Sequence, residues 1–160
     1  MSLPKPAGRG KKETISLDSA AAHLLEECRM VLPGIQALFG FQLIAVFNDG
    51  FGEKLSHAEQ VLHLCALLLV ALAAALVMTP AAVHRQTQPQ QVSERFVWLS
   101  SALVLASMFP LALGLSLDVY LICRIVLESK PAGAAIAGVL LVFYFVLWGA
   151  LPRRHADKLH

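Results

Sequence analysis

Charge is what this chain lacks most. Only 15% of its 160 residues are Asp, Glu, Lys or Arg, against roughly a quarter in an ordinary soluble domain. The formal net charge of +2 offers no basic surface able to neutralise a run of nucleic-acid phosphates, so nucleic acid is not an expected partner. The three cysteines, Cys28, Cys65 and Cys123, stand far apart with no CxxC pair. That excludes a disulfide framework and gives no zinc spacing; Cys65, inside an apolar block, reads as a small hydrophobe. The GxSxG elbow, the HExxH helix, the Walker loop and GxGxxG are all missing. The sequence gives catalysis no support, and no cofactor, metal or catalytic residue is expected. Lys5, Arg9, Lys11 and Lys12 are not followed directly by an apolar core, so the first apolar block reads as a retained span rather than a secretory leader.

Apolar residues are abundant instead, at 57% of the chain, and they fall in long blocks separated by polar stretches. That pattern predicts an all-α integral membrane four-helix bundle. The spans are expected at about 30–48, 58–79, 96–117 and 131–150, inside a membrane domain over residues 17–152. Residues 1–16, rich in Pro, Gly and Lys, read as a disordered cytoplasmic tail, and residues 153–160 as a basic one.

Two additions to the four spans are expected. Between Leu17 and Leu32 the apolar positions Ala21, Leu24, Leu25, Cys28 and Leu32 share a helical face. This amphipathic helix either lies in the interface or extends span one, with Pro33-Gly34 marking a kink or break. Asn48-Asp49-Gly50 closes span one with turn chemistry. Ser56 and Glu59 form a capping box before span two, which Thr79-Pro80 ends or bends. The third apolar run continues past Asp118 to Leu127; as one helix from Phe96 it is about 48 Å long, against a hydrocarbon core of about 30 Å. Either it tilts, or Pro110 and Gly114 bend it, or a short outer helix begins near Asp118. Pro131 suits the first turn of span four, and Pro152-Arg153-Arg154 stops it.

Lys and Arg set the orientation. Lys5, Arg9, Lys11, Lys12, Arg29, Arg85, Arg95, Arg153, Arg154 and Lys158 fall on one side of a four-span layout, and Lys54, Arg124 and Lys130 on the other. Both termini are therefore expected in the cytoplasm. Trp98, Tyr144 and Trp148 lie towards span ends, as interfacial aromatics do.

Polar residues at membrane depth carry the functional expectations, because an ionisable group at a span centre costs on the order of 2.5–3.5 kcal/mol. Gln36, Gln42, His63 and Asp118 are candidates for a polar path, or for plain interhelical hydrogen bonds. For Asp118 the plainer reading is an interfacial cap with Arg124 snorkelling, since enough apolar residues precede it to cross the bilayer. Arg124 and Glu128, four apart, are placed to pair. Asp49, Glu53 and His57 have helical spacing but lack a second histidine, so no metal site is expected. Ala71/Ala75, Ala102/Ala106 and Ala134/Gly138 are spaced for close helix packing.

Three stretches act together as a signature: Glu27-Cys28-Arg29 running into PGIQALFGFQL at 33–43, PAAVHR at 80–85, and Phe47 and Phe51 around the loop between them. With these the chain resembles a family of small, uncharacterised bacterial four-span membrane proteins, a domain of unknown function. The resemblance implies a four-helix membrane fold in a bacterial inner membrane, and implies no activity, substrate or cofactor. In an antiparallel hairpin, Glu27 and Arg29 on one side and His84 and Arg85 on the other would form a cytoplasmic anchor, with a Glu27–Arg85 pair at its centre. The function expected is a non-enzymatic oligomeric or accessory membrane component. The alternative is a small ion, proton or solute channel or transporter subunit. The expected partners are the lipid bilayer and either further copies of the chain or another membrane protein.

Overall fold

The computed structural model describes residues 16–86 and 93–150, and the described chain is helical almost throughout. The expected N-terminal tail, the centre of the loop between spans two and three, and the basic C-terminal tail lie outside the described residues. Five helices follow in order: α1 (Leu17–Val46), α2 (Gly50–Lys54), α3 (His57–Gln86), α4 (Glu94–Leu127) and α5 (Lys130–Phe145), the last continued by a π-helical turn (Val146–Ala150). Four stretches are long and apolar enough to cross a bilayer: α1, α3, α4 and Lys130–Gly149.

The ends obey local chemistry. The Ser16 hydroxyl accepts from the Ser19 amide at 3.3 Å and opens α1. The Gly50 amide donates to Asn48 Oδ1 at 3.1 Å, an Asx turn that leads into α2. Ser56 opens α3 with half of the expected capping box. Its amide donates to Glu59 Oε2 at 2.9 Å, but its hydroxyl donates to the same oxygen, at 2.8 Å, rather than accepting from the helix. Glu128, at φ 49°, takes the left-handed conformation that stops α4, and Ser129 caps α5.

The helices run on through their prolines, so of the kinks, bends and breaks expected there the breaks are excluded. Pro33, Pro80 and Pro110 all sit inside continuous helix. Each removes one backbone donor; Pro80 and Pro110 are buried against neighbouring helices, which makes the loss tolerable in membrane spans, whereas Pro33 faces outward. The amphipathic stretch from Leu17 is thus the first part of α1, and no separate outer helix starts near Asp118. α4 is one helix of 34 residues, about 51 Å long.

One periodicity explains the packing. The buried positions of α1 include Ala21, Cys28, Ile35 and Gln42, seven apart. Those of α3 alternate steps of four and three: Glu59, His63, Ala66, Val70, Ala73, Val77, Pro80. Those of α4 include Ser100, Ser107, Gly114 and Leu121, again seven apart. A 3.5-residue repeat keeps one seam facing its partner along the whole helix. The central pair is α3 and α4, α1 packs on α3 and more lightly on α4, and α5 packs on α4. Leu24, Cys28 and Ile35 join Val70 and Val77 in the apolar core.

Small residues set the closest approach, but not those the four-residue spacing pointed to. Ala75, Ala106, Ala134 and Gly138 are exposed, because those pairs lie off the seams. The close contact is at Gly114, where an added Cβ would come within 3.0 Å of Val70 Cγ2 and 3.1 Å of the Ala66 carbonyl. A second is at Gly133, where a Cβ would lie 3.1 Å from the Tyr120 carbonyl, and it seats α5 on α4.

Candidate functional site

Three helices bring polar side chains together near the α1 C-terminus, the α3 N-terminus and the C-terminal part of α4. Gln42 Nε2 donates to Asp118 Oδ2 at 2.6 Å. His63 Nδ1 stands 3.5 Å from Asp118 Oδ1, and His63 Nε2 stands 3.0 Å from the Gln42 main-chain carbonyl. Gln42 is 4% exposed and His63 7%. The Phe51 ring, from α2, meets the imidazole edge-on at 5.3 Å and covers it.

A carbonyl oxygen only accepts, so His63 Nε2 donates to the Gln42 carbonyl. Nδ1 faces Asp118 Oδ1 at 3.5 Å, the distance of a charge contact rather than of a formed hydrogen bond. A proton bound between these two atoms would make the pair neutral in sum, the inexpensive state at low dielectric. Gln42 Oε1 is shielded from solvent and has no hydrogen-bond partner among the described residues, so the cluster keeps an open acceptor.

A second pair lies one turn nearer the helix ends. Arg124 Nε contacts Glu59 Oε1 at 2.7 Å, and Arg124 Nη1 donates to the Lys54 carbonyl at 2.8 Å. Glu59 and His63 are neighbours on the α3 seam, so this ion pair sits above the inner cluster like a lid. Along the rest of α4, Ser116 and Ser107 donate to the Ala112 and Val104 carbonyls at 2.7 and 2.6 Å. The Ser100 hydroxyl is buried without a hydrogen-bond partner among the described residues.

Of the four residues expected along a polar path, Gln42, His63 and Asp118 meet, and Gln36 is exposed on the outside of α1. Six residues separate Gln36 from Gln42, which turns them to different faces. Asp118 does not cap a helix start: it lies inside continuous α4, where its carboxylate accepts from Gln42 of α1 and faces His63 of α3. Arg124 pairs with Glu59 and not with Glu128, because the α3 seam presents Glu59 to it. Asp49, Glu53 and His57 are exposed in the loop region.

The expected hairpin anchor does not assemble. Glu27, Arg29 and Arg85 are exposed, and Glu27 and Arg85 form no ion pair. The half-buried His84 lays its ring against Phe96 at 5.6 Å. Helix register is the reason. His63 beside Gln42 places Val70 level with Ile35 and Val77 level with Cys28. Arg85 is then level with Ala20, about 10 Å along the axis from Glu27.

The sequence reading missed Phe51, the pairing of Glu59 with Arg124, and the buried serines. The signal for Glu59 was present: with His63 it opens the four-three repeat that runs to Pro80.

A polar cluster enclosed by helices that are each long and apolar enough to cross a bilayer defines a multi-pass α-helical membrane protein. The chain belongs to a family of unknown function, DUF6328, whose model matches residues 11–152. No curated protein and no solved structure matches it.

Proposed function

We propose that this protein is a non-enzymatic, proton-handling component of a bacterial inner membrane, acting as a small proton or ion transport subunit. The observation that carries this reading is the convergence of Gln42, His63 and Asp118, from three helices, on one another. Ionisable groups inside spans are costly and mark ion or proton pathways by default. Scattered polar residues would have favoured a plain accessory component. A proton taken up between Nδ1 and Oδ1 can pass on to an acceptor, and the open Gln42 Oε1 can hold the donor that carries it. The serine hydroxyls of α4 continue the polar side of the seam. The contact of Gly114 with Ala66 and Val70 closes it below the cluster, so this conformation is occluded and transport requires α3 and α4 to part there.

The distribution of Lys and Arg supports both termini in the cytoplasm, which puts the cluster near the outer face. Assembly into oligomers belongs to the same proposal. Gly133 is the buried residue of α5, which leaves much of that helix open to lipid or to a second copy.

Proteoliposomes with an internal pH dye and an imposed potassium diffusion potential test the proposal. Wild-type protein should acidify or alkalise the lumen with the sign of the potential. Asp118→Asn and His63→Ala should each lower the rate at least tenfold while keeping the helical fold. A wild type without flux, or variants with unchanged flux, would refute it.

A further inference from the structure

Lys54, Arg124 and Lys130 come from three separate places in the chain, yet all three line one cavity of about 530 Å³, together with Ile125 and Glu128. They are also the basic residues that the loop count assigns to this side of the membrane. Glu59 pairs with Arg124 and also feels the charge of Lys130; with Glu128 on the rim, the two carboxylates still leave the three cations in excess by one. Like charges gathered at one cleft repel unless an anion neutralises them.

We infer that this cavity binds a phosphate-type anion, the headgroup of an anionic phospholipid or free inorganic phosphate. The donor set suits that ligand. Arg124 uses Nε on Glu59 and Nη1 on the Lys54 carbonyl, so its Nη2 is left for a phosphate oxygen. Lys54 and Lys130 are exposed and add mobile point charges from two sides. The volume falls in the range of small-molecule sites, roughly 300–1,000 Å³, and exceeds what bare phosphate fills. One turn below Ile125 on the same face of α4, Ile122 is 60% exposed, so an apolar surface leads into the cleft where an acyl chain would lie. The site is distinct from the Gln42–His63–Asp118 cluster and does not depend on proton transport.

The test uses the full chain, purified and delipidated in a neutral detergent. Native mass spectrometry reads retention of phosphatidylglycerol against phosphatidylcholine, and thermal unfolding reads stabilisation by inorganic phosphate. Phosphatidylglycerol should be retained at least tenfold better than phosphatidylcholine. The exposed pair K54Q/K130Q should lose that preference tenfold, and K54R/K130R should keep it. Stabilisation by inorganic phosphate that K54Q/K130Q abolishes, without a lipid preference, supports the anion site and assigns it to free phosphate. Equal retention of the two lipids with no phosphate effect overturns the inference. So does binding unchanged in K54Q/K130Q, or binding lost alike in the Gln and Arg variants.

Discussion

Gly114 offers the sharpest test of how α3 and α4 are held. A Cβ there would stand 3.0 Å from Val70 Cγ2, 3.1 Å from the Ala66 carbonyl and 3.5 Å from Leu69 Cβ. Carbon atoms prefer about 3.5–4.0 Å, so the Val70 methyl is too close to a new Cβ, the Ala66 carbonyl oxygen is tight as well, and both must give by a few tenths of an ångström. Overpacking of this kind costs about 1–3 kcal/mol. Helix propensity returns about 1 kcal/mol, leaving a net loss of roughly 0–2 kcal/mol. Gly138 is the control, because nothing lies within 4 Å of its added Cβ; Gly138→Ala should be neutral or gain up to about 1 kcal/mol. Gly114→Leu should prevent the approach altogether. Reversible unfolding in mixed micelles, followed by circular dichroism, measures all three. A double-mutant cycle with Val70→Ala locates the clash: removing Cγ2 should make Gly114→Ala cheaper, with a coupling of about 1 kcal/mol. Gly114→Leu as stable as wild type, or Gly114→Ala more stable than Gly138→Ala, would sink the packing argument.

Other predictions follow from the polar residues and the ends. Gln42→Leu removes the donor to Asp118 and should cost about 1–3 kcal/mol, measured by the same unfolding assay; a neutral effect would mean the bond is not made in the membrane. Asp118→Asn keeps an acceptor for Gln42 but cannot share a proton with His63. It should therefore hold most of the stability while losing the flux of the proteoliposome assay, and intact flux would argue against the proton reading. In a cysteine-free background, Lys54→Cys should react with a membrane-impermeant maleimide on intact cells, and Arg85→Cys after lysis alone. The reverse pattern would invert the proposed orientation. Swapping Glu59 and Arg124 as Glu59→Arg with Arg124→Glu should restore stability relative to either single change, and equal loss in all three would show that the pair is not coupled.

Much of the fold was legible along the chain because it depends on local quantities. Apolar blocks longer than the bilayer's hydrocarbon core predict spans, and each of the four found by that rule overlaps an observed long helix, the second and third lying wholly inside theirs. Asn48-Asp49-Gly50 and Ser56 act over three residues or fewer, and they mark the ends of α1 and α3 as read. The prolines left a break and a bend both open for the opposite reason. A proline's local cost is large, but the packing that absorbs it at the buried Pro80 and Pro110 is not local. The small-residue pairs failed likewise. Spacing by four is a property of one helix, whereas the seam is a property of two.

The sequence by itself determined that this is an all-helical membrane protein with four spans, and it marked Gln42, His63 and Asp118 as residues whose burial needs a reason. Tertiary structure alone decided what that reason is. Residues 42, 63 and 118 belong to three helices, and whether they meet depends on register and rotation between those helices. Those are set by the seven-residue seams and by the contact at Gly114. The same register separates Glu27 from Arg85 and hands Arg124 to Glu59. A side chain's depth can be counted along its own helix; its neighbours on another helix cannot.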